Sequence, residues 1–488
     1  MASDARVQHL LRRAGFGTTS AEAAAFSQRG LAATLDALVN FQNTPDDVDA
    51  LIGQPGYAAV TPSAGMSEPF SPSTSINDAR QRWLFRMVHS RRPLQEKMAL
   101  FWHQHFATAY SKIANAVGGA AATQMVAAKS SEHPAWLRGQ IELFRDYALP
   151  NFRDLLYEVA KDPAMLYWLD GRLNTRARPQ ENFAREVMEL FTIGVGQFVE
   201  SDVYAGARVF TGWNLQRVGE ARDPLGFFQF FYNGAQHDTN AKTFSFPIYT
   251  DGSRTIPARA QSGGMQDGID LLAALARHPE TGRRLARKLW SFFISEVRAP
   301  DEMFVAGIAN VYKLSDCHMA PVVRAVLSSP EFDAPESYFA RYSWPVEFVA
   351  RALKEIGYAG FPLNAALGPL SNMGQQLFEP PDVAGWERGP AWFTTAAMLA
   401  RMNFAATLTS RQRNDIAAAA AGNGPTPDAL LSFYLDRTTP APFEQHAYNC
   451  LLDYLRGGGA WTGNAAQLRT KAPGLLHLIA GSSEYQLV

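Results

Sequence analysis

Residues 180–213 read QENFAREVMELFTIGVGQFVESDVYAGARVFTGW. Pro179 just inside the start and Gly194 and Gly196 just past the end punctuate a helix. With Phe183 at zero on a helical wheel, Val187, Leu190 and Phe191 fall within roughly 80° of it, and Asn182, Arg185, Glu186 and Glu189 fill an arc of roughly 100° on the other side. One face suits a core; the other is dense in ionisable groups. A second helical run with Asp202, Arg208 and Trp213 follows. Two amphipathic runs joined by glycines set the fold class as mainly α.

The chain around this stretch has 488 residues, enough for one large helical domain with elaborations or for two or three ordinary domains. Hydrophobic residues make up 47% and charged residues 19%, so a sizeable core is available. A net charge of −1 gives no bulk attraction to nucleic acid or anionic membranes, and no nucleic-acid partner is expected. No apolar run reaches the roughly 18–20 residues that span a bilayer. The N-terminus, MASDARVQHLLRRAGFG, carries charges inside its first amphipathic segment and does not read as a signal peptide. Cys317 and Cys450 stand 133 positions apart, without zinc-finger spacing, and read as buried small apolar groups.

Working outward, helices are expected from Asp4 to Arg13 and from Leu31 to Val39, with a loop at about 54–75 rich in Pro, Gly and Ser. A helical pattern from Ile76 breaks at Arg92-Pro93. The next helix, RPLQEKMALFWHQHFAT, has an apolar stripe of Leu94, Met98, Phe101, Trp102, Phe106 and Ala109. His105 lies near its centre and His103 is displaced by roughly 160°, so His105 is expected to be buried and His103 to face elsewhere. Amphipathic patterns continue over 136–149 and 152–161, and again over 268–277, 280–293, 301–314, 319–328 and 344–356. AVLSSPEF near 325–332 is echoed by HLIAGSSEYQ at 477–486. From Leu225 to Tyr249, aromatic runs flank a polar AQHDTNAK segment, the pattern of a small β-hairpin-like excursion with His237-Asp238 at its tip. Pro380, Pro381, Gly385, Gly389 and Pro390 exclude regular structure between 372 and 395, where Trp386, Trp392 and Phe393 demand burial or a ligand. Residues 1–410 read as the main helical domain and 411–488 as a helical C-terminal region packed on it.

The segments HLLRRAGFG, RPLQEKMALFWHQHFAT, ENFAREVMELFTIGVG with DVYAGARVFTGW, the HD of QHDTNAKTF, and MGQQLFEPPDVAGW together resemble the signature segments of the bacterial family known as domain of unknown function 1800. They occur in the family's order between about residues 9 and 405. One departure is Gln180, where Asn is expected before the Glu-Asn pair. The resemblance implies a largely helical bacterial protein, often exported and frequently encoded beside a sulfatase-like partner, with no settled reaction. It allows an exported protein whose signal has been removed.

His103, His105, Glu181, Glu186, Glu189, His237, Asp238 and Asp382 all lie in these segments, and such a concentration of carboxylates and imidazoles suggests a polar site. The leading expectation is a hydrolase acting on a glycan or related polymer, with Glu186 and Asp238 as the paired carboxylates. Glu189, His237 and His105 assist, Trp213, Trp386 and Trp392 are stacking platforms, and Arg208 and Asp382 bind substrate. The same chemistry also suits a metal-dependent oxidoreductase with a divalent metal on His103, His105, Glu181 and Glu186, although HExxH and paired ExxH spacings are absent. A third reading is a non-enzymatic helical binding or assembly protein. In it Arg185 and Arg208 lock neighbouring carboxylates, as Arg185 would lock Glu186 or Glu189. No GxSxG elbow, Walker loop or GxGxxG fingerprint is present. The enzyme readings expect His105, Glu186 and the His237-Asp238 tip to share one cleft.

Overall fold

A computed structural model describes every residue except 1, 2, 66, 134, 219–225 and 440. Among the described residues the chain is mainly α-helical, with two small antiparallel two-stranded sheets. Leu225, the expected start of the β-excursion, lies outside them. No described helix is long and apolar enough to cross a membrane.

At the centre is the helix Pro93–His105, in which every residue from Leu94 to His105 is buried. Pro93 opens it, where a missing N–H costs nothing. Its apolar stripe packs in the core, but the opposite face does not meet solvent, and His103 is buried together with His105. The polar side chains on that face are covered by other charged groups. Arg86 on Ile76–His89 reaches Glu96 at 2.7 Å, and Arg145 on Gln140–Asp146 reaches it at 3.0 Å. Lys97 pairs with Glu347 on the buried helix Pro345–Ile356, and Arg341 pairs with Glu347 at 2.9 Å. Removing one partner of such a buried set strands the other in a low dielectric, so the three helices are tied in register.

Helix limits largely follow the Pro, Gly and capping signals. Leu31–Val39 and Phe152–Lys161 stand where the pattern puts them, and Met265–Arg277, Pro279–Phe293 and Met319–Leu327 begin or end within a few residues of expectation. An additional helix, Ser20–Arg29, opens with a reciprocal cap between Thr19 and Glu22. The echoed segments also match locally. Ser329 caps a one-turn helix through the Phe332 N–H, and Ser482 does the same for Tyr485. Cys317 is buried and Cys450 exposed, and both are free.

The central stretch departs from a regular helix. It is α-helical over Asn182–Glu186 and then widens into a π-helical turn over Val187–Phe191. Its entry is steadied by Asn174, whose Oδ1 accepts the Gln180 N–H at 3.0 Å. The second run is helical only over Glu200–Val209, and Trp213 opens a strand rather than closing a helix. The cause is Gly212 at φ 80°, where a Cβ would stand 2.4 Å from the Asn233 carbonyl oxygen. The strand Trp213–Val218 pairs with Phe227–Tyr232, Trp213 opposite Tyr232 and Val218 opposite Phe227. The hairpin docks by laying Trp213 on Gly268, where an added Cβ would come within 2.2 Å of the indole.

In the C-terminal region Ala465–Gly481 packs on Thr395–Arg411 and Arg413–Ala420. The chain end then returns to the core, where the Val488 N–H donates to the Arg341 carbonyl at 2.8 Å.

Asp162 terminates one helix and caps the next, accepting from the Met165 N–H and the Gln140 amide, both at 2.9 Å. Burial nonetheless raises its pKa to about 7. A carboxyl whose folded pKa lies above its unfolded value loses stability as pH rises between the two, here from about 4 to about 7. Asparagine caps as well as aspartate and carries no charge. Asp162→Asn is therefore expected to gain stability relative to the wild type as pH is raised from 4 to 8, by on the order of 2–4 kcal/mol, in thermal melts. An unchanged difference across that range would show that Asp162 does not titrate there.

Candidate functional site: a cationic cleft beside the π-helical turn

The buried central helix ends in His103, Gln104 and His105, and each binds a different segment. His103 Nε2 accepts the Phe378 N–H at 3.3 Å. The Gln104 amide accepts from the Trp386 N–H at 2.9 Å and donates to the Trp386 carbonyl at 2.8 Å. Gly385 permits this approach, because a Cβ there would stand 2.5 Å from the amide. His105 Nε2 donates to the Phe191 carbonyl at 3.0 Å.

That carbonyl is free because the helix ends there. The last carbonyls of any helix lack intrahelical partners, and the widened turn presents those of Leu190 and Phe191. Lys288, on Pro279–Phe293, donates to the Leu190 carbonyl at 3.3 Å and to His105 Nδ1 at 2.8 Å. The proton assignment follows from the partners. A carbonyl only accepts, so Nε2 carries the proton and Nδ1 of the neutral ring accepts from Lys288. Burial, then the Lys288 and Arg284 charges, hold the His105 pKa well below its usual value. Burial, then Arg284 and Arg388, depress that of Lys288. The two contacts fix the amine at the end of the helix, beside open space.

On that side is a cleft of about 530 Å³ lined by Ile193, Gly194, Arg284, Lys288 and Arg388 among others. Arg284 and Lys288 stand one helical turn apart and share a face. Arg287 pairs with Glu302 at 3.1 Å, but Arg284, Lys288 and Arg388 make no ion pair among the described residues. The Nε of half-buried Arg284 has no hydrogen-bond partner. Burial, followed by the Arg388 charge, lowers the Arg284 pKa, with Glu189 opposing. Gly194, at φ 88°, lets Arg284 come close: a Cβ would lie 2.9 Å from its guanidinium. Glu280 and Arg287 line it too, so basic side chains outnumber carboxylates, and with one N–H unsatisfied the cleft can receive an oxyanion.

Of the residues singled out from sequence, His105 lies directly behind this cleft and Glu189 acts on Arg284 electrostatically. Glu186 and Glu189 are half-buried and make no ion pair; burial, then repulsion from Glu189, raises the Glu186 pKa. Arg185, expected to hold one of them, pairs instead with Glu200 and, at 3.3 Å, with Glu181.

His237 and Asp238 follow the hairpin instead of standing at its tip, because its strands are Trp213–Val218 and Phe227–Tyr232, and they belong to a separate network. His237 is buried, with Nε2 3.1 Å from Asp267 and Nδ1 2.9 Å from the Thr211 carbonyl. Lys242 and Arg259 both reach Asp267 at 2.5 Å. Asp238 receives both arms of Arg208, at 2.7 and 3.3 Å. Burial opposes its charge, but the Arg208 hydrogen bond and the Asn240 N–H bring its pKa down to about 2. Among the described residues no hydrogen bond or ion pair joins this group to His105.

Trp213, Trp386 and Trp392 are at most 4% exposed and are core, not stacking platforms, because close glycine and Gln104 contacts enclose them. Asp382 turns the loop by accepting the Ala384 N–H at 2.8 Å. The proposed ligands His103, His105, Glu181 and Glu186 do not form a metal set. Among the described residues no group of three or more His, Cys, Asp or Glu is arranged to hold an ion. His103 and His105 spend ring nitrogens on Phe378 and Phe191 instead. The sequence reading missed Arg284, Lys288 and Arg388; its available signal was two basic residues one turn apart on a helix flanked by core positions.

A model of a protein family of unknown function, DUF1800, matches residues 9–487. The chain belongs to the DUF1800 family. The match extends past residue 405 and takes in the C-terminal helices, whose end bonds to Arg341. No curated protein matches, and no solved structure does.

In this DUF1800 protein Arg208–Asp238 acts as a lock between a helix and the loop that follows the hairpin. A carboxylate with a depressed pKa contributes stability above its unfolded value of about 3.9 that is lost as pH falls towards 2. Asp238→Asn is expected to cost roughly 1–2 kcal/mol in urea unfolding at pH 7, a difference that shrinks below pH 3. A variant of undiminished stability would release Asp238 for another role.

Proposed function

We propose that the protein is a hydrolase acting on a substrate that bears a carboxylate or phosphate-like oxyanion, with the cationic cleft as its site. The observation that carries this reading is the placement of the Lys288 amine. It is held by His105 and the Leu190 carbonyl, faces the cleft, and stands beside two unpaired arginines. A depressed amine pKa is what a general base working near neutral pH needs. Arg284 and Arg388 hold the substrate oxyanion and, with burial, lower the Lys288 pKa. The neutral His105 ring orients the amine, and the amine activates water. The glycan-cleaving pair Glu186 and Asp238 is less well supported, because Asp238 is committed to Arg208.

Inorganic phosphate is expected to bind in calorimetric titration, and Arg284→Ala to weaken it about 10- to 100-fold, the loss of one charge-assisted contact. The same variant relieves repulsion at Lys288, so its melting temperature should hold or rise while binding falls. In a screen of anionic esters, the active one should show a rising pH limb well below the ordinary lysine range, and Lys288→Met should abolish turnover. Phosphate binding untouched by Arg284→Ala, or turnover surviving Lys288→Met, would refute the assignment.

A further inference from the structure

A second cavity, of about 400 Å³, lies where the Gly119–Ala127 helix, the loop after His133, the end of Phe152–Lys161 and the strand Phe227–Tyr232 meet. Both signs of charge line it, with Arg138 and Lys161 beside Glu158. Gln124 lines it while only 4% exposed, and its Oε1 has no hydrogen-bond partner. An acceptor left bare in a buried amide costs free energy unless a donor arrives from the cavity. Glu158 also lines it, paired with Lys161 at 2.7 Å and with Arg138 at 3.6 Å. The charges of this wall are met by one another, so the bare Gln124 acceptor calls for an uncharged ligand that donates.

Three aromatic side chains, Trp136, Phe228 and Phe230, also line it. Trp136 stands at its mouth 74% exposed, in a turn closed by its own N–H on the His133 carbonyl at 2.8 Å. Its φ of 55° is rare for so bulky a residue. An indole fixed in solvent by an unfavourable backbone conformation is not there for packing. Phe228 and Phe230, two apart on one strand, share a face towards the same space. The ligand must therefore present an apolar face and several hydroxyl donors at once. A pyranose ring does both: its C–H face lies on an aromatic ring and its equatorial hydroxyls point outward.

We propose that this cavity is a binding site for a neutral oligosaccharide, stacked on Trp136, with hydroxyls donating to Gln124 Oε1 and to the Glu158 carboxylate. The site is distinct from the cationic cleft and shares no lining residue with it.

The test uses the full chain and four probes, cellohexaose, xylohexaose, chitohexaose and maltohexaose, in calorimetric and tryptophan-fluorescence titrations. At least one is expected to bind saturably with one site per chain. Trp136→Ala, a surface change that leaves the melting temperature unaltered, should weaken it at least tenfold. Glu158→Gln should weaken it less, and Arg284→Ala not at all. Failure of all four probes to bind, or equal binding by the wild type and Trp136→Ala, would overturn the proposal.

Discussion

A helix buried on every side is destabilised by each polar group left unmet, and Pro93–His105 carries polar groups on every side, most of them paired. Glu96 takes Arg86 and Arg145; Lys97 takes Glu347 and, at 3.1 Å, the Gly15 carbonyl; Trp102 donates to the Ala148 carbonyl. His103, Gln104 and His105 then take three further segments. Each of these costs little only while its partner stays in place, since an unpaired buried donor or charge forfeits its full hydration. The helix thus dictates where segments more than two hundred residues apart in sequence must lie. Substituting apolar residues throughout could yield as much stability, but would not specify which loop goes where.

The cleft is a by-product of that specification. Once Gln104 fixes the Trp386 loop and His105 fixes the end of the π-helical turn, Arg388 and Gly194 are carried to the same side of Lys288. The wide turn matters here because a regular α-helical end would direct its terminal carbonyls differently. The result is a region where cations outnumber carboxylates in a protein whose overall charge is −1. Bulk balance and local imbalance coexist because charges elsewhere are consumed in pairs such as Arg208–Asp238 and Arg12–Glu355. Repulsion among Arg284, Lys288 and Arg388 is a standing cost to the fold, of the kind retained where a ligand of opposite charge is to be received.

Much of the architecture was legible in the sequence because its signals are local. Proline at first positions, glycines past the ends and 3.6-residue periodicity located most helices, and aromatic runs announced the hairpin. Errors arose where tertiary contact overrides the local pattern. His103 was expected to face away because a wheel compares one face with the other, and it cannot tell that both are covered. The helical pattern runs on to Trp213 because the break at Gly212 is set by the Asn233 carbonyl, just past the partner strand. The tryptophans were taken for platforms because composition does not distinguish an indole enclosed by Gly268 from one left in solvent.

The candidate site was legible only in part, for a related reason. Counting ionisable residues in signature segments finds every polar group that must be satisfied, and most of these are satisfied by one another. His237, Asp238 and Asp382 are of that kind, and a list of carboxylates and imidazoles cannot separate them from Glu189 or His105. The distinguishing property is an absent partner, which is a property of three-dimensional neighbourhoods. Arg284 and Arg388 lie in segments that read as ordinary charged surface, yet among the described residues neither they nor Lys288 makes an ion pair. The same criterion picks out Gln124 in an unremarked helix. Sites in this fold are therefore sought where a polar atom left unmet by helix ends, ion pairs and caps also faces a cavity, as Arg284 Nε and Gln124 Oε1 do.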